Sequence, residues 1–129
     1  MTYLLDTHVL LWALTDPAAL SRTAHDVIAS RRNVLVASAV SAWEVATKAR
    51  LGKLPQADGL LNAWDRNLRR LDCQRLPISD DHALLAGGLD WEHRDPFDRM
   101  LAAQALSDSL VLITRDPVFG TLRGIRRLW

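Results

Sequence analysis

The sequence predicts a three-layer α/β sandwich, in which a central parallel sheet is flanked by helices on both faces. Short apolar runs suited to strands alternate along the chain with segments that carry helix-capping signals. The strand runs are apolar at successive positions, which is typical of strands buried on both faces of a parallel sheet. Because 129 residues fit one domain, we expect residues 1–129 to form a single domain with no linker.

The first quarter of the chain predicts the order strand, helix, helix, strand. Residues 3–5 form a short apolar strand that ends at an acid, and residues 9–14 form an apolar helix that an Asp-Pro pair ends. A serine caps a second helix at residues 21–32. The β-branched run at residues 33–37 suits a central strand of the sheet.

The middle of the chain predicts two further helices and a third strand. Ser41 and Glu44 match a capping box, which opens a helix that ends near Gly52. Residues 58–71 carry large apolar side chains at helical spacing, so we expect one continuous helix there. Residues 75–78 then form a short strand.

The last third of the chain completes the alternation. A serine cap and a double glycine bound a helix at residues 79–88, and an Asp-Pro pair opens another helix at residues 95–107. Residues 110–114 are a fourth strand, and Asp116 begins a short helical turn. Residues 125–128 fit an edge strand.

Composition excludes some classes of protein and leaves others open. Sixteen Lys and Arg against fifteen Asp and Glu give a net charge of +1, so any attraction to nucleic acid must come from local patches. The single cysteine, Cys73, has no partner within the chain, and the first residues lack the pattern of a signal peptide. No apolar run approaches the ~20 residues of a membrane span. We therefore expect a cytoplasmic protein that is not a membrane protein.

Four acids are expected at the carboxyl edge of the sheet, where α/β folds collect their ligands: Asp6, Glu44, Asp98 and Asp116. Carboxylates gathered in one place repel one another unless a cation lies among them, and oxygen ligands suit Mg²⁺ or Mn²⁺. The four histidines are scattered and there is one thiol, so we do not expect a zinc site.

Three of these acids also have a structural interpretation. Glu44 fits the return partner of a capping box, Asp98 fits the first turn of a helix, and Asp116 fits a cap before a proline. Asp6 follows an apolar strand and is the acid least easily explained as a cap. From the residues alone, the capping and catalytic interpretations both remain open.

Five segments, in this order and spacing, resemble the VapC group of PIN-domain proteins, the toxins of type II toxin-antitoxin pairs. They are Leu-Leu-Asp-Thr-His at 4–8, Ser-Ala-Trp-Glu-Val at 41–45, His-Arg-Asp-Pro-Phe-Asp-Arg at 93–99, Ala-Ala-Gln-Ala at 102–105 and Leu-Ile-Thr-Arg-Asp at 112–116. The resemblance covers nearly the whole chain. It implies a PIN-like fold, a homodimer, one or two Mg²⁺ or Mn²⁺ ions, and endonucleolytic cleavage of RNA. It also implies a cognate antitoxin, through which alone the protein would meet DNA.

The resemblance also implies roles for the acids. Asp6, Glu44, Asp98 and Asp116 match the four family acids in order, as catalytic residues and metal ligands. We expect Asp6 and Asp98 to be direct ligands, and Glu44 and Asp116 to act directly or through water. Asp95 is the rival of Asp98; we interpret Asp95 as the helix cap and Asp98 as the ligand.

Other residues near these acids are weaker candidates. Thr7 and Thr114 can orient an acid or a phosphate through their hydroxyl groups, or they can be ordinary residues of strand-end turns. Arg99 and Arg115 can bind RNA phosphates, or they can be solvated surface charges. An alternative function is a catalytically silent PIN-like scaffold that acts with a partner protein on nucleic acid.

The five tryptophans divide into two groups. Trp12, Trp43 and Trp64 are expected in the core or in dimer contacts, because each lies in an otherwise helical apolar pattern. Trp91 and Trp129 are the candidates for stacking on RNA bases.

Overall fold

The computed structural model describes residues 1–55 and 57–129. The strands are β1 (Thr2–Leu5), β2 (Val34–Ser38), β3 (Cys73–Leu76), β4 (Val111–Ile113) and β5 (Arg127–Leu128). The α-helices are α1 (Thr7–Thr15), α2 (Arg22–Ala29), α3 (Ala39–Arg50), α4 (Ala57–Asn62), α5 (Trp64–Arg70), α6 (Asp80–Gly88) and α7 (Pro96–Ser107). Short 3₁₀ turns cover Pro17–Ala19 and Pro117–Thr121. No helix in the described part of the chain is both long and apolar enough to cross a membrane.

The five strands form one sheet in the order β3-β2-β1-β4-β5, and every neighbouring pair is parallel. The central strand β1 places Tyr3 beside Leu35 on one side and Val111 on the other. Because all strands run the same way, their carboxyl ends lie along one edge of the sheet. The predicted fold class, a parallel sheet between helical layers, is confirmed.

Two separate cores lie on the two faces of the sheet. Tyr3 and Leu5 point into one core, which α1, α2 and α5 cover, whereas Leu4 points into the other, which α7 covers. This alternation follows from the pleat of a strand, in which successive side chains leave opposite faces. Leu4 and Leu5 are both fully buried, so β1 is a central strand in every respect.

The start of α3 differs from the prediction. The helix begins at Ala39, and the hydroxyl of Ser38 caps it by accepting a hydrogen bond of 3.0 Å from the amide of Val40. Ser41 lies inside the helix, so the capping box predicted for Ser41 and Glu44 is wrong. The reason is that β2 passes directly into α3, which leaves the last strand residue as the only place for a cap.

The segment predicted as one helix at residues 58–71 forms two helices. α4 and α5 are separated at Ala63, whose ψ of 25° departs from helical geometry. The side-chain amide of Asn67 donates to the carbonyl of Leu60 across this break, at 3.5 Å. Helical spacing of apolar residues alone does not reveal such a break, because the apolar residues keep that spacing across it although Leu60 and Leu68 enter different core clusters.

Some element ends also shift by a few residues. The third strand is Cys73–Leu76 rather than 75–78, because Pro77 has no amide hydrogen with which to continue the ladder. The second helix ends at Ala29 rather than at residue 32. The cap predicted at Asp95 is confirmed, since its carboxylate accepts hydrogen bonds from the amides of Phe97 and Asp98.

Candidate active site

Three of the four predicted acids converge at the carboxyl edge of the sheet. Asp6 directly follows β1, Glu44 lies in the middle of α3, and Asp98 lies in the first turn of α7. Asp6 and Glu44 are almost fully buried, at 5% and 3% exposure. The charge of Glu44 raises the pKa of Asp6, and the charges of both raise the pKa of Asp98, so the three carboxylates repel one another.

Asp6 is held by the strand on its other side. Its amide donates to the carbonyl of Ile113 at 3.0 Å, and its carboxylate accepts a 2.7 Å hydrogen bond from the hydroxyl of Thr114. It occupies the N-cap position of α1 but makes no side-chain cap bond. Burial raises the pKa of Asp6, against the lowering effect of the Thr114 hydrogen bond. The strongest side-chain contact of Asp6 is therefore with Thr114 after β4 rather than with the helix that Asp6 precedes.

Glu44 carries the clearest unsatisfied group of the site. One carboxylate oxygen, Oε2, pairs with the ammonium group of Lys48 one helical turn later. The other, Oε1, is buried and has no hydrogen-bond partner among the residues that the structure describes. An unpaired carboxylate oxygen away from water is costly, so this atom is suited to an additional cationic or hydrogen-bonding partner.

Asp98 pairs with a histidine that precedes its helix. The Nε2 atom of His93 lies 2.7 Å from Oδ2 of Asp98, and the Asp98 side chain is 16% exposed. Burial raises the pKa of Asp98 to about 6, and the neighbouring charges of Asp95, Asp6 and Glu44 add to the effect. The hydrogen bond from His93 acts in the opposite direction.

Asp95 and Asp116 act as caps in this structure. Oδ1 of Asp95 lies 2.9 and 3.1 Å from the two amides that it caps. Asp116 is exposed, and its carboxylate accepts from the amide of Val118 at 2.9 Å. Its backbone amide also donates to the hydroxyl of Thr114 at 3.0 Å, so Asp116 is linked to Asp6 through that threonine. Asp116 therefore lies at the rim of the site rather than among Asp6, Glu44 and Asp98.

Three buried hydroxyl groups support the acids. The Thr7 and Ser41 hydroxyls lie 2.9 Å apart and tie the start of α1 to α3. Thr114 accepts from Asp116 and donates to Asp6, which leaves its hydroxyl with both roles filled. All three side chains are almost completely buried. Thr7 therefore links α1 to α3 beside the site, and Thr114 orients the Asp6 carboxylate directly.

The two arginines proposed for RNA binding have different surroundings. The guanidinium of Arg99 donates to four backbone carbonyls, those of Ala86, Leu89, Trp91 and His93, at 2.8 to 2.9 Å. This arrangement fixes the loop before α7 and leaves little of the side chain for a phosphate. Arg115 is exposed, and its guanidinium carbon lies 5.9 Å from the ring centre of Trp12.

The tryptophans also differ from expectation in part. Trp43, expected in the core or in a dimer contact, is 54% exposed and meets the ring of Phe97 edge-on, with 4.7 Å between ring centres. It is therefore not a core residue of the single chain, because its position on α3 points outwards. Trp91 is half-buried and donates to the hydroxyl of Thr121.

The sequence interpretation missed the partners of the acids. Lys48 follows Glu44 by four residues, a spacing that favours a helical ion pair, so a signal was present. His93 lies within a motif segment but was treated as one of several scattered histidines. Ser41 was assigned to a cap, whereas it is a buried partner of Thr7. The contact between Thr7 and Ser41 joins two different helices, and a linear pattern does not give such a contact.

The donor set matches a hard divalent cation in its chemistry. It consists of carboxylate oxygens, one of which is orphaned, and two of the carboxyl groups have raised pKa values that a nearby cation would lower. In the described residues, however, no three His, Cys, Asp or Glu side chains are close enough together to hold one ion as they stand. Binding would therefore require side-chain adjustment, with Glu44 and Asp98 exchanging their present partners, Lys48 and His93, for the ion.

Comparisons with known proteins identify the family. The family model described as "PIN domain" matches residues 3–124. Ribonuclease VapC16 of Mycobacterium tuberculosis is 40% identical over 57 residues, a match that spans 44% of this chain and only 39% of the length of that relative.

Solved structures share the whole fold. A chain of the VapBC2 complex of Rickettsia felis, bound to a DNA fragment from its promoter, superposes with a TM-score of 0.73 at 16% identity. The match covers 99% of this chain and 98% of that chain. DNA-bound VapBC of Salmonella typhimurium gives 0.70 at 18% identity, over 99% and 97% of the two chains. VapBC-5 of Mycobacterium tuberculosis gives 0.63 at 21% identity, over 98% of each chain. At these identities the likeness concerns the fold alone.

Proposed function

Because the chain belongs to the PIN-domain family, we propose that it is a metal-dependent endoribonuclease and the toxin of a toxin-antitoxin pair. The observation that carries this proposal is the convergence of three mutually repelling carboxylates at one edge of the sheet. Asp6 and Glu44 are buried, Asp98 is half-buried, and one oxygen of Glu44 has no partner among the described residues. Such an arrangement lowers the stability of the protein alone. It is understandable where a cation and an anionic substrate are bound.

Asp6 and Asp98 are proposed as direct ligands of Mg²⁺ or Mn²⁺, with Glu44 and Asp116 acting directly or through water. When bound, the ion supplies an ionised water as nucleophile and neutralises charge on the phosphodiester. Other residues of this chain orient the proposed metal ligands. Thr114 fixes the Asp6 carboxylate by its 2.7 Å hydrogen bond. His93 holds Asp98 in the apo protein and is placed to move a proton at the carboxylate it contacts.

The expected partners follow from the same proposal. RNA is the substrate, and the Arg115 side chain at the rim of the site is proposed to contact its phosphates. A cognate antitoxin and a homodimer are proposed by analogy with the VapBC complexes, two of which carry DNA. Contact with DNA is proposed only through the antitoxin.

A catalytically silent scaffold is the second candidate. It is favoured by one observation, that Glu44 and Asp98 pair with Lys48 and His93. In a silent scaffold these pairs would be permanent, whereas in a nuclease they would break when the carboxylates bind the ion. The two candidates therefore differ in whether metal and RNA cleavage depend on the acids.

The experiment is cleavage of a fluorescently labelled RNA by the full-length protein, freed of any partner, with Mg²⁺ or Mn²⁺. We expect cleavage that stops when the metal is chelated and that Asp6→Asn or Asp98→Asn abolishes, because each removes a charged ligand. The same substitutions should relieve the growth arrest caused by expression of the protein without its antitoxin.

Asp95→Asn is the matched control. It makes the same change of charge three residues from Asp98, and asparagine caps helices as well as aspartate does. Cleavage should therefore survive in Asp95→Asn. Unchanged cleavage in both Asp6→Asn and Asp98→Asn would overturn the proposed site, and loss in Asp95→Asn alone would transfer the ligand role to Asp95.

A further inference from the structure

A cavity of about 300 Å³ opens directly beside the buried acids. It is lined by Asp6, His8, Trp12, Arg115, Asp116 and Pro117. Its volume is at the lower end of the ~300–1,000 Å³ that small-ligand sites occupy, which suits one planar ring system rather than an extended ligand. The cavity therefore joins the metal-binding edge of the sheet to an aromatic surface.

The aromatic wall of this cavity comes from α1. His8 and Trp12 lie one helical turn apart on α1, with 6.0 Å between their ring centres. Trp12 also packs against Trp129, outside the cavity lining, with 5.8 Å between the ring centres. His8 is exposed and Trp12 is half-buried. The rings are thus anchored in the fold while part of their surface stays open to a ligand.

The cavity also has one cationic side chain. Arg115 is exposed and lies over the ring of Trp12 at 5.9 Å. Within the described part of the chain, no hydrogen bond or ion pair restrains its guanidinium group, in contrast to the four carbonyls that hold Arg99. Arg115 is therefore available for a phosphate, whereas Arg99 is not.

We propose that this cavity is a base-binding subsite for single-stranded RNA, in which one unpaired base packs against Trp12 and His8 beside the cleavage site. Arg115 contacts the phosphate attached to that nucleotide. Aromatic side chains stack on any of the four bases, and a nearby cation follows the backbone, which is the usual combination in single-strand binding. This inference rests on the proposed function, and it adds which side chains hold a base and its phosphate beside the cleavage site: Trp12, His8 and Arg115.

The test is binding of fluorescein-labelled hexauridylate to the full-length protein, measured by fluorescence anisotropy in EDTA so that no cleavage occurs. Trp12→Leu should raise the dissociation constant about tenfold, within the range that loss of one stacked base produces. Trp12→Phe should restore most of the affinity because it keeps a ring. Repulsion between the acids and the phosphates weakens binding in all variants alike, so their ratio still reports on the ring.

Two controls separate stacking from a general effect on the fold. Trp64→Leu removes another half-buried tryptophan packed against the same core but away from the cavity, and its affinity should equal that of the wild type. A hexamer of abasic ribose phosphates should bind wild type and Trp12→Leu equally, because it has no base to stack. Should Trp12→Leu fail to fold, His8→Ala changes an exposed residue of the same wall and should weaken hexauridylate binding in the same direction.

Equal affinities of hexauridylate for wild type, Trp12→Leu and His8→Ala would overturn the subsite. So would an equal loss for the abasic hexamer, or a loss confined to binding of a partner protein, which would identify the cavity as a protein-docking site. These results are distinguishable from failure of the proposed nuclease. Metal-dependent cleavage that requires Asp98 would remain if only the subsite were wrong.

Discussion

Two groups of acids lie close together along the carboxyl edge of the sheet, and they differ in their neighbours: one group faces other carboxylates and the other faces backbone amides. Asp6, Glu44 and Asp98, the inner acids, are largely buried and repel one another. Asp95 and Asp116, the capping acids, accept hydrogen bonds from backbone amides at helix starts. A capping acid stabilises the fold that contains it, whereas an inner acid destabilises it when no cation is bound.

Backbone amides distinguish the structural carboxylates from the proposed functional ones. Asp95 and Asp98 are three residues apart on the same helix start, and a linear pattern assigns either role to either residue. The backbone decides between them, since two amides point at Asp95 while Asp98 faces Asp6 and Glu44. Substitution of the two residues should therefore change stability in opposite directions.

The largest expected change in stability is the pH dependence at Asp98. Its pKa is about 6 in the folded protein, above its ordinary value of 3.8, so the folded state binds the proton more tightly than the unfolded state. The stability that the protonated group contributes is present below about pH 4 and is lost as the pH rises to about 6. Asparagine does not ionise, so Asp98→Asn does not lose this stability. The difference in free energy of unfolding between Asp98→Asn and wild type should therefore rise by roughly 2–3 kcal/mol from pH 4 to pH 8.

Urea unfolding in EDTA at the two pH values measures this difference. Using the change between pH values removes any constant effect of the asparagine itself, and Asp95→Asn should show no comparable gain. Parallel curves for wild type and Asp98→Asn across the whole range would show that Asp98 is not held in a repelling, desolvated position.

A smaller effect of opposite sign is expected at the capping acids. Asp95→Ala removes the acceptor for two amides at the start of α7 and should lower the free energy of unfolding by about 1 kcal/mol. Asp95→Asn should stay close to wild type because asparagine is an equally good cap. The measurement is urea unfolding at pH 7. An Asp95→Ala variant as stable as Asp95→Asn would show that the cap does not stabilise the start of α7.

Much of the fold followed from the sequence because its signals are local. Apolar runs marked β1 and β4, and the Asp95-Pro96 pair marked the start of α7. The start of α3 was misplaced because Ser38 and Ser41 are both plausible caps three residues apart, and only the end of β2 decides between them. The break at Ala63 carries no strong local signal.

The sequence predicted that Asp6, Glu44 and Asp98 come together at one edge of the sheet, but it did not predict their side-chain partners. Asp6 and Asp98 were placed by their positions at a strand end and a helix start. Their contacts with Thr114 and His93 join residues that are 108 and 5 positions apart, and a side-chain contact of that kind follows only from packing. The location of Asp116 at the rim likewise depends on the path of the turn after β4.

If the inner acids, and not the capping acids, form the metal site, binding of the ion must depend on Asp98 and not on Asp95. Calorimetric titration of Mg²⁺ or Mn²⁺ into the full-length protein at pH 8 measures this dependence. We predict saturable binding by wild type and by Asp95→Asn, and its loss in Asp98→Asn. Binding of equal strength in Asp98→Asn, or no saturable binding by wild type, would contradict the account.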